Sequence, residues 1–279
     1  MATRPFRLVD VFGDGAFAGN PLAVVHDADG LDTETMQRVT RWMNLSETVF
    51  LLQPTSDAAD YRARIFTLAR ELPFAGHPTL GAAHAWEELH GTSADRLLQE
   101  CGAGDVPLRR IDGRLAFAAP PLVRSGPLED SELDEMIAAL ELDPDMVEDA
   151  AWVDNGPGWA ALLLRSVDDV MAVEPPSSYS SELDVGVVAV RPEGSETAIE
   201  VRAFFSTGDG TILEDPATGS LNASVAQWLI ATGRVEPPFV ASQGGALGRR
   251  GRVHLSQDAD GAVWVAGNTT TVATGEIDV

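Results

Sequence analysis

One turn occurs twice in this chain, and any fold it adopts must provide two equivalent places for it. Glu71-Leu72-Pro73-Phe74-Ala75-Gly76-His77-Pro78 and Glu214-Asp215-Pro216-Ala217-Thr218-Gly219-Ser220 align without a gap, matching Glu71 with Glu214, Pro73 with Pro216, Gly76 with Gly219 and His77 with Ser220. Each leads into an apolar run rich in small residues, ending near Leu89 in the first copy and Trp228 in the second. Upstream, Arg64-x-Phe66 answers Arg202-x-Phe204 at a slightly shorter offset, so the second copy carries the longer loop. The glycine allows a tight turn, Ser220 reads as a helix N-cap, and Pro78 suits the first position of the matching helix. The start of a helix leaves backbone N–H groups unpaired, and together they can hold an anion.

Around the two turns the chain reads as short strands. Phe6 to Phe12 and Pro21 to Val25 pair as a hairpin. The glycine-rich segment between them is followed by Asn20-Pro21 and a β-branched run, where a dinucleotide loop would open a helix, so it reads as a wide hairpin loop. Residues 32–43 show helical periodicity, with Leu31, Met36, Val39 and the Trp42-Met43 pair on the buried side. Strands follow at 48–52 and 61–66, then the first turn and its helix, stopped by Gly91, then strands at 97–101, 105–111 and 114–118. Pro120-Pro121 opens a second half in the same order. It has a helix over 131–140 capped by Ser131, strands at 151–153, 159–164, 185–190 and 199–205, and the second turn and helix. Gln243-Gly244 and Gly248-Arg249 fall in a loop between the final strands. The expected fold is α+β: two pseudo-symmetric β-rich domains, each a rolled sheet around a central helix. Their bounds are 1–119 and 120–267, with a last strand, 268–279, returning to the first. A pseudo-twofold would bring both helix starts to one cleft.

Composition narrows the chemistry. The net charge of −24 disfavours nucleic acid and anionic membrane as partners. All 19 basic residues are arginine, so a Schiff-base lysine is excluded. Cys101 is the only cysteine, which excludes intrachain disulfides, cysteine-rich zinc sites and a two-thiol racemase. The start is charged and lacks an apolar h-region, which points to a cytoplasmic protein.

Four side chains stand out: Glu47 at a helix-to-strand junction, His77 and Ser220 at matching helix starts, and Asp215 at the mouth of the second turn. Facing helix starts, with the Gly76 and Gly219 amides, would hold a carboxylate and leave a carboxylate and an imidazole for proton transfer. Taken singly, each has a structural reading: Glu47 a solvated charge, Asp215 a turn residue, Ser220 and His77 helix caps. His84, Glu87, Glu88 and His90 lack zinc-helix spacing, so no metal is expected. His26 and His254 read as loop and strand-surface residues, and Cys101 as a small buried one.

Asp10-Val-Phe12 with Gly19-Asn20-Pro21, Asn44-Leu-Ser-Glu47-Thr48, the two turns, and Gln243-Gly244 before Gly248-Arg249 together resemble the PhzF-like phenazine-biosynthesis isomerases. The resemblance spans nearly the whole chain. It implies a diaminopimelate-epimerase-like fold, a homodimer, and a site that needs no metal or organic cofactor and acts on a small carboxylate. It implies that Glu47 is general base and acid, that Asp215 and His77 orient the amine and hydroxyl region, and that Ser220 with the Gly76 and Gly219 amides holds the carboxylate. The two catalytic cysteines of diaminopimelate epimerases are replaced by His77 and Ser220. Gly158-Trp159 departs from the basic or polar residue common after Asn-Gly-Pro, as do Leu68-Ala69-Arg70 and the longer loop of 206–212. Two alternatives stand beside this: a small-carboxylate binding protein without turnover, and an amino-acid epimerase with His77 as second base.

Overall fold

The computed structural model describes every residue except Met1 and Gly208. The chain divides into two compact units, one of Met1–Ala118 with Ala266–Val279 and one of Ala119–Val265.

The first unit contains β1 (Thr3–Val11), β2 (Asn20–Val25), α1 (Thr33–Met43), β3 (Glu47–Leu52), β4 (Tyr61–Thr67), β5 (Glu71–Leu72), α2 (Gly76–His90), β6 (Arg96–Cys101), β7 (Gly104–Ile111) and β8 (Arg114–Ala118). β1 and β2 form the antiparallel hairpin expected from the sequence, with Val11 opposite Asn20. The C-terminal strand, Thr269–Asp278, pairs antiparallel with the other side of β1. β2 runs parallel to β3, a pairing that requires a crossover, and α1 supplies it. β4 pairs antiparallel with β3 and β5 and parallel with β6. α2 lies inside this sheet, with Gly76 through Ala83 buried without interruption. A helix apolar on nearly every side has no surface face to present. Its close approach to β2 depends on Gly81, where a Cβ would collide with Leu22.

The second unit repeats the plan with β9 (Arg124–Pro127), α3 (Asp130–Ala139), β10 (Val147–Asp154), β11 (Ala160–Leu164), α4 (Val167–Ala172), β12 (Asp184–Val190), β13 (Ile199–Ser206), β14 (Ile212–Asp215), α5 (Gly219–Ala231), β15 (Phe239–Gln243), β16 (Gly251–Gln257) and β17 (Val263–Gly267), the last running across the division between units. β10 pairs antiparallel with β11 and β9, as β1 does with β2 and the C-terminal strand. β11 runs parallel to β12 across α4, and β13 pairs antiparallel with β14 and parallel with β15. The duplication is therefore topological, pairing by pairing. It extends to side chains: Arg64 grips Glu71 through Nε and Nη2 at 2.7 and 2.6 Å, and Arg202 grips Glu214 in the same way at 3.0 and 2.8 Å. Each guanidinium also lies over its own phenylalanine, Phe66 at 5.2 Å and Phe204 at 4.9 Å. The forks tie β4 to β5 and β13 to β14, the short strands that deliver the chain into the two turns.

Several local expectations are corrected. Trp42 is 80% exposed, because α1 buries Met36 and Thr40 against β3 and β4 and turns Trp42 outward. Glu129, not Ser131, caps α3, through a reciprocal capping box with Glu132. β10 begins at Val147, and the short elements β5, β9, α4 and β14 lack a periodic signature of their own. His26 is buried, its ring within 3.0 Å of Arg7 Nη1, and Cys101 is only half-buried. Gln243 lies not in a loop but at the end of β15, fully buried.

Candidate active site

In the first unit, α1 ends on Asn44, whose left-handed φ of 54° reverses the chain, and β3 begins three residues later at Glu47. Strand pairing with Thr67 fixes the Glu47 backbone. Its side chain is 16% exposed, with the Oε2 atom itself buried. His77, the second residue of α2, is 3% exposed and sets Nδ1 3.4 Å from Glu47 Oε2. Burial pushes the imidazole down to about 3, against a smaller upward pull from the Pro21 carbonyl. His77 is therefore neutral at neutral pH, and its contact with Glu47 is that of a ring dipole with a carboxylate rather than an ion pair. No standing imidazolium is therefore present at this position at neutral pH.

The β1–β2 loop is closed by Asp10, which accepts from the Ala18 and Gly19 amides at 3.0 and 2.9 Å. A Cβ on Gly19 would strike the Val11 carbonyl, so only glycine fits before Asn20-Pro21. Asp154 does the same in the second unit, accepting from Gly156 and Gly158 at 2.7 and 2.8 Å.

The second unit builds its helix start more elaborately. The N-cap of α5 is Thr218, with Ser220 one residue inside the helix, which corrects the expectation that Ser220 caps it. Likewise Ala75 caps α2, putting Gly76 and His77 in its first turn and Pro78 third rather than first. Neither Gly76 nor Gly219 has the positive φ a tight turn would demand; both are helical. Asp215, 7% exposed, accepts the Thr218 hydroxyl proton on Oδ2 at 2.6 Å. Gln243 organises the turn. Its Oε1 accepts from the Thr218 amide at 3.0 Å and Asn222 Nδ2 at 2.7 Å, and its Nε2 donates to the Asp215 carbonyl at 2.9 Å and Thr218 Oγ1 at 3.0 Å. Because Thr218 Oγ1 already receives a proton from Gln243, its own proton is directed to Asp215.

Ser220 is fixed from behind. Trp159 Nε1 donates to its Oγ at 3.0 Å, and Asn155 Nδ2 donates to its carbonyl at 2.9 Å. With an acceptor lone pair engaged by the indole, the hydroxyl is left to act as a donor. This gives the unusual Trp159 a role: it lies behind Ser220 at 4% exposure rather than offering a polar edge. Trp159→Phe is expected to weaken binding of a small carboxylate by roughly 3- to 10-fold through loss of one hydrogen bond. Isothermal titration measures it, and unchanged affinity would dissociate Trp159 from the site.

Thr218, Gln243, Asn222, Asn155 and Trp159 are thus additions to the candidate side chains. Thr218 lies in the repeated turn, Gln243-Gly244 in the family pattern and Trp159 at a departure from it, whereas Asn222 carried no signal. Among the described residues there is no cluster of three side chains able to hold a metal ion, and no helix long and apolar enough to cross a membrane.

The buried histidines also set the acid response. In an unfolded chain a histidine titrates near 6.5, whereas burial holds His77 near 3 and His26 near 4. As pH falls below 6.5 the unfolded state takes up protons that the folded state refuses, so this stability is complete above 6.5 and is lost towards pH 3. Each histidine contributes a slope of up to about 1.4 kcal/mol per pH unit. In denaturant titrations between pH 6.5 and 4.5, His77→Gln should show a slope shallower than wild type by close to one proton. Parallel slopes would mean that His77 titrates normally.

Comparisons with known proteins agree with this architecture. The family model described as phenazine biosynthesis-like protein matches residues 9–275. Antisense-enhancing sequence 1 of Schizosaccharomyces pombe is 33% identical over 99% of both chains. Trans-2,3-dihydro-3-hydroxyanthranilate isomerase of Pseudomonas aeruginosa is 34% identical over 97% of this chain and 98% of its own. The crystal structure of a Bacillus anthracis PhzF-family protein superposes with a TM-score of 0.82 over the whole of both chains at 22% identity, a likeness of fold. With a duplicated α+β topology, two matching helix starts, a family match over nearly the full length and relatives that are isomerases, this chain belongs to the phenazine biosynthesis-like family and is an isomerase of that PhzF-like type.

Proposed function

We propose that this isomerase moves a proton within a small amino- or hydroxy-carboxylate without a cofactor, and that Glu47 both removes and returns it. The observation that carries the proposal is the approach of Glu47, mostly buried but still 16% exposed, to a buried imidazole that stays neutral. Beside a neutral partner, no fixed cation opposes the carboxylate when it takes up a proton. In this reading the first-turn amides of α2 and α5 and the Ser220 hydroxyl hold the substrate carboxylate, while Asp215 and His77 orient its amine and hydroxyl groups. On the same reading both helix starts serve one substrate, and the protein acts as a cytoplasmic homodimer. The dihydro-hydroxyanthranilate named for the Pseudomonas aeruginosa relative is the natural first compound to try.

An epimerase would need a second base on the opposite face of the reacting carbon. His77, held near 3, is poorly suited to take or give a proton near neutral pH, which favours a single-base isomerase.

The test is binding of 3-hydroxyanthranilate to wild type, Ser220→Ala and His77→Gln. One molecule per chain, weakened several-fold by either substitution, supports one substrate shared by both helix starts. Binding that responds to only one of the two removes the shared site.

A further inference from the structure

The first unit contains a cavity, away from the start of α2, that the isomerase chemistry does not use. It is an open pocket of about 310 Å³ where the β7–β8 turn faces the middle of α2 and the start of the C-terminal strand. Its walls include His84, Arg110, Arg114, Asn268, Thr269 and Thr270; no aspartate or glutamate is among the lining residues, and Glu88 stands behind His84 at 3.3 Å. That is an uncommon surface on a chain with 43 acidic residues against 19 arginines.

The two guanidiniums are held differently. Arg110 is fixed: Nη2 bonds Glu87 Oε2 at 2.6 Å, Nε the Ala94 carbonyl at 3.2 Å and Nη1 the Gly113 carbonyl at 3.2 Å. Its charge is matched by Glu87, which is itself buried. Arg114 is anchored only at Nε, by the neutral Asn268 amide oxygen at 3.0 Å. Among the described residues its Nη groups meet no carboxylate, so its charge is oriented but not neutralised. Thr269 and Thr270 also line the pocket.

We propose that this pocket binds a small phosphate-type oxyanion, with Arg114 as its principal ligand and the threonine hydroxyls as secondary donors. A planar guanidinium held at Nε presents a two-pronged Nη edge, the geometry that suits a phosphoryl group, and a lining without carboxylates avoids repulsion of a dianion. The volume exceeds that of free phosphate, so a phosphate monoester on a small molecule also fits.

The experiment is isothermal titration of the full chain with inorganic phosphate and, separately, glycerol 3-phosphate, at constant ionic strength with chloride as the compensating anion. Saturable one-to-one binding is expected, weakened at least about tenfold in Arg114→Gln. Asn268→Asp, which places a competing carboxylate beside Arg114, should weaken it comparably, and Ser220→Ala should leave it unchanged. Tighter binding of the monoester identifies an esterified ligand, and equal binding identifies free phosphate; either supports the site. No saturable binding overturns the proposal. So does phosphate binding that survives both pocket substitutions or is lost in Ser220→Ala, since the anion would then sit at a helix start.

Discussion

Glu47→Gln should lower turnover of the small-carboxylate substrate by about 10³-fold while leaving its dissociation constant within roughly threefold, the range for loss of a positioned general acid–base group. The amide is nearly isosteric with the carboxylate and keeps an oxygen toward the His77 ring, so the first turn of α2 has no cause to rearrange. What it cannot do is accept a proton from carbon and return it. With His77 neutral down to about pH 3, no neighbouring imidazolium stands ready to substitute. Paired kcat and KM measurements decide this: a fall confined to kcat fits the proposed role, whereas a rise confined to KM would make Glu47 a binding group. Retained turnover would remove it from the chemistry.

The largest effect on stability is expected at Gln243. Gln243→Ala deletes four hydrogen bonds at once and leaves the Thr218 amide, Asn222 Nδ2 and the Asp215 carbonyl short of partners in a buried setting. Asn222 keeps its bond to the Thr218 carbonyl at 2.9 Å, which softens the loss. At about 1–3 kcal/mol for each stranded group, a total near 3–5 kcal/mol follows. A fall in melting temperature of roughly 10 °C corresponds to it. Gln243→Glu separates packing from polarity, because it fills the space but cannot donate to Thr218 Oγ1. It should recover less than half of the loss. Denaturant unfolding of both variants provides the comparison, and a cost below about 1 kcal/mol for the alanine variant would mean that the network is not what secures the turn.

The duplication was legible because it is written in residues with few substitutes: a glycine at each helix start, a proline three residues before it, and an arginine two residues before a phenylalanine. The Arg64 and Arg202 forks show why those arginines recur, since each ties a short strand to its neighbour just before the turn. α2 and α5 were visible as runs of small apolar residues, which is what a helix enclosed by a sheet requires. What escaped was set by long-range contact. Gln243 is 25 residues from Thr218 in the chain, and Trp159 is 61 from Ser220, so no local pattern links either pair. Ser220 is a sound N-cap by composition, yet Gln243 and Asn222 bind the Thr218 backbone and place the cap two residues earlier. Trp42 follows helical spacing with Val39 but falls beyond the edge of the sheet that α1 covers.

The most direct measurement is transfer of label from heavy water. Because the Glu47 side chain is 16% exposed, the proton it has taken should exchange with solvent while the intermediate is bound. Wild type incubated with substrate in deuterium oxide should place deuterium at the carbon that receives the proton, and Glu47→Gln should bind the compound without labelling it. Labelling or isomerisation by the glutamine variant at the wild-type rate would contradict proton transfer through this carboxylate.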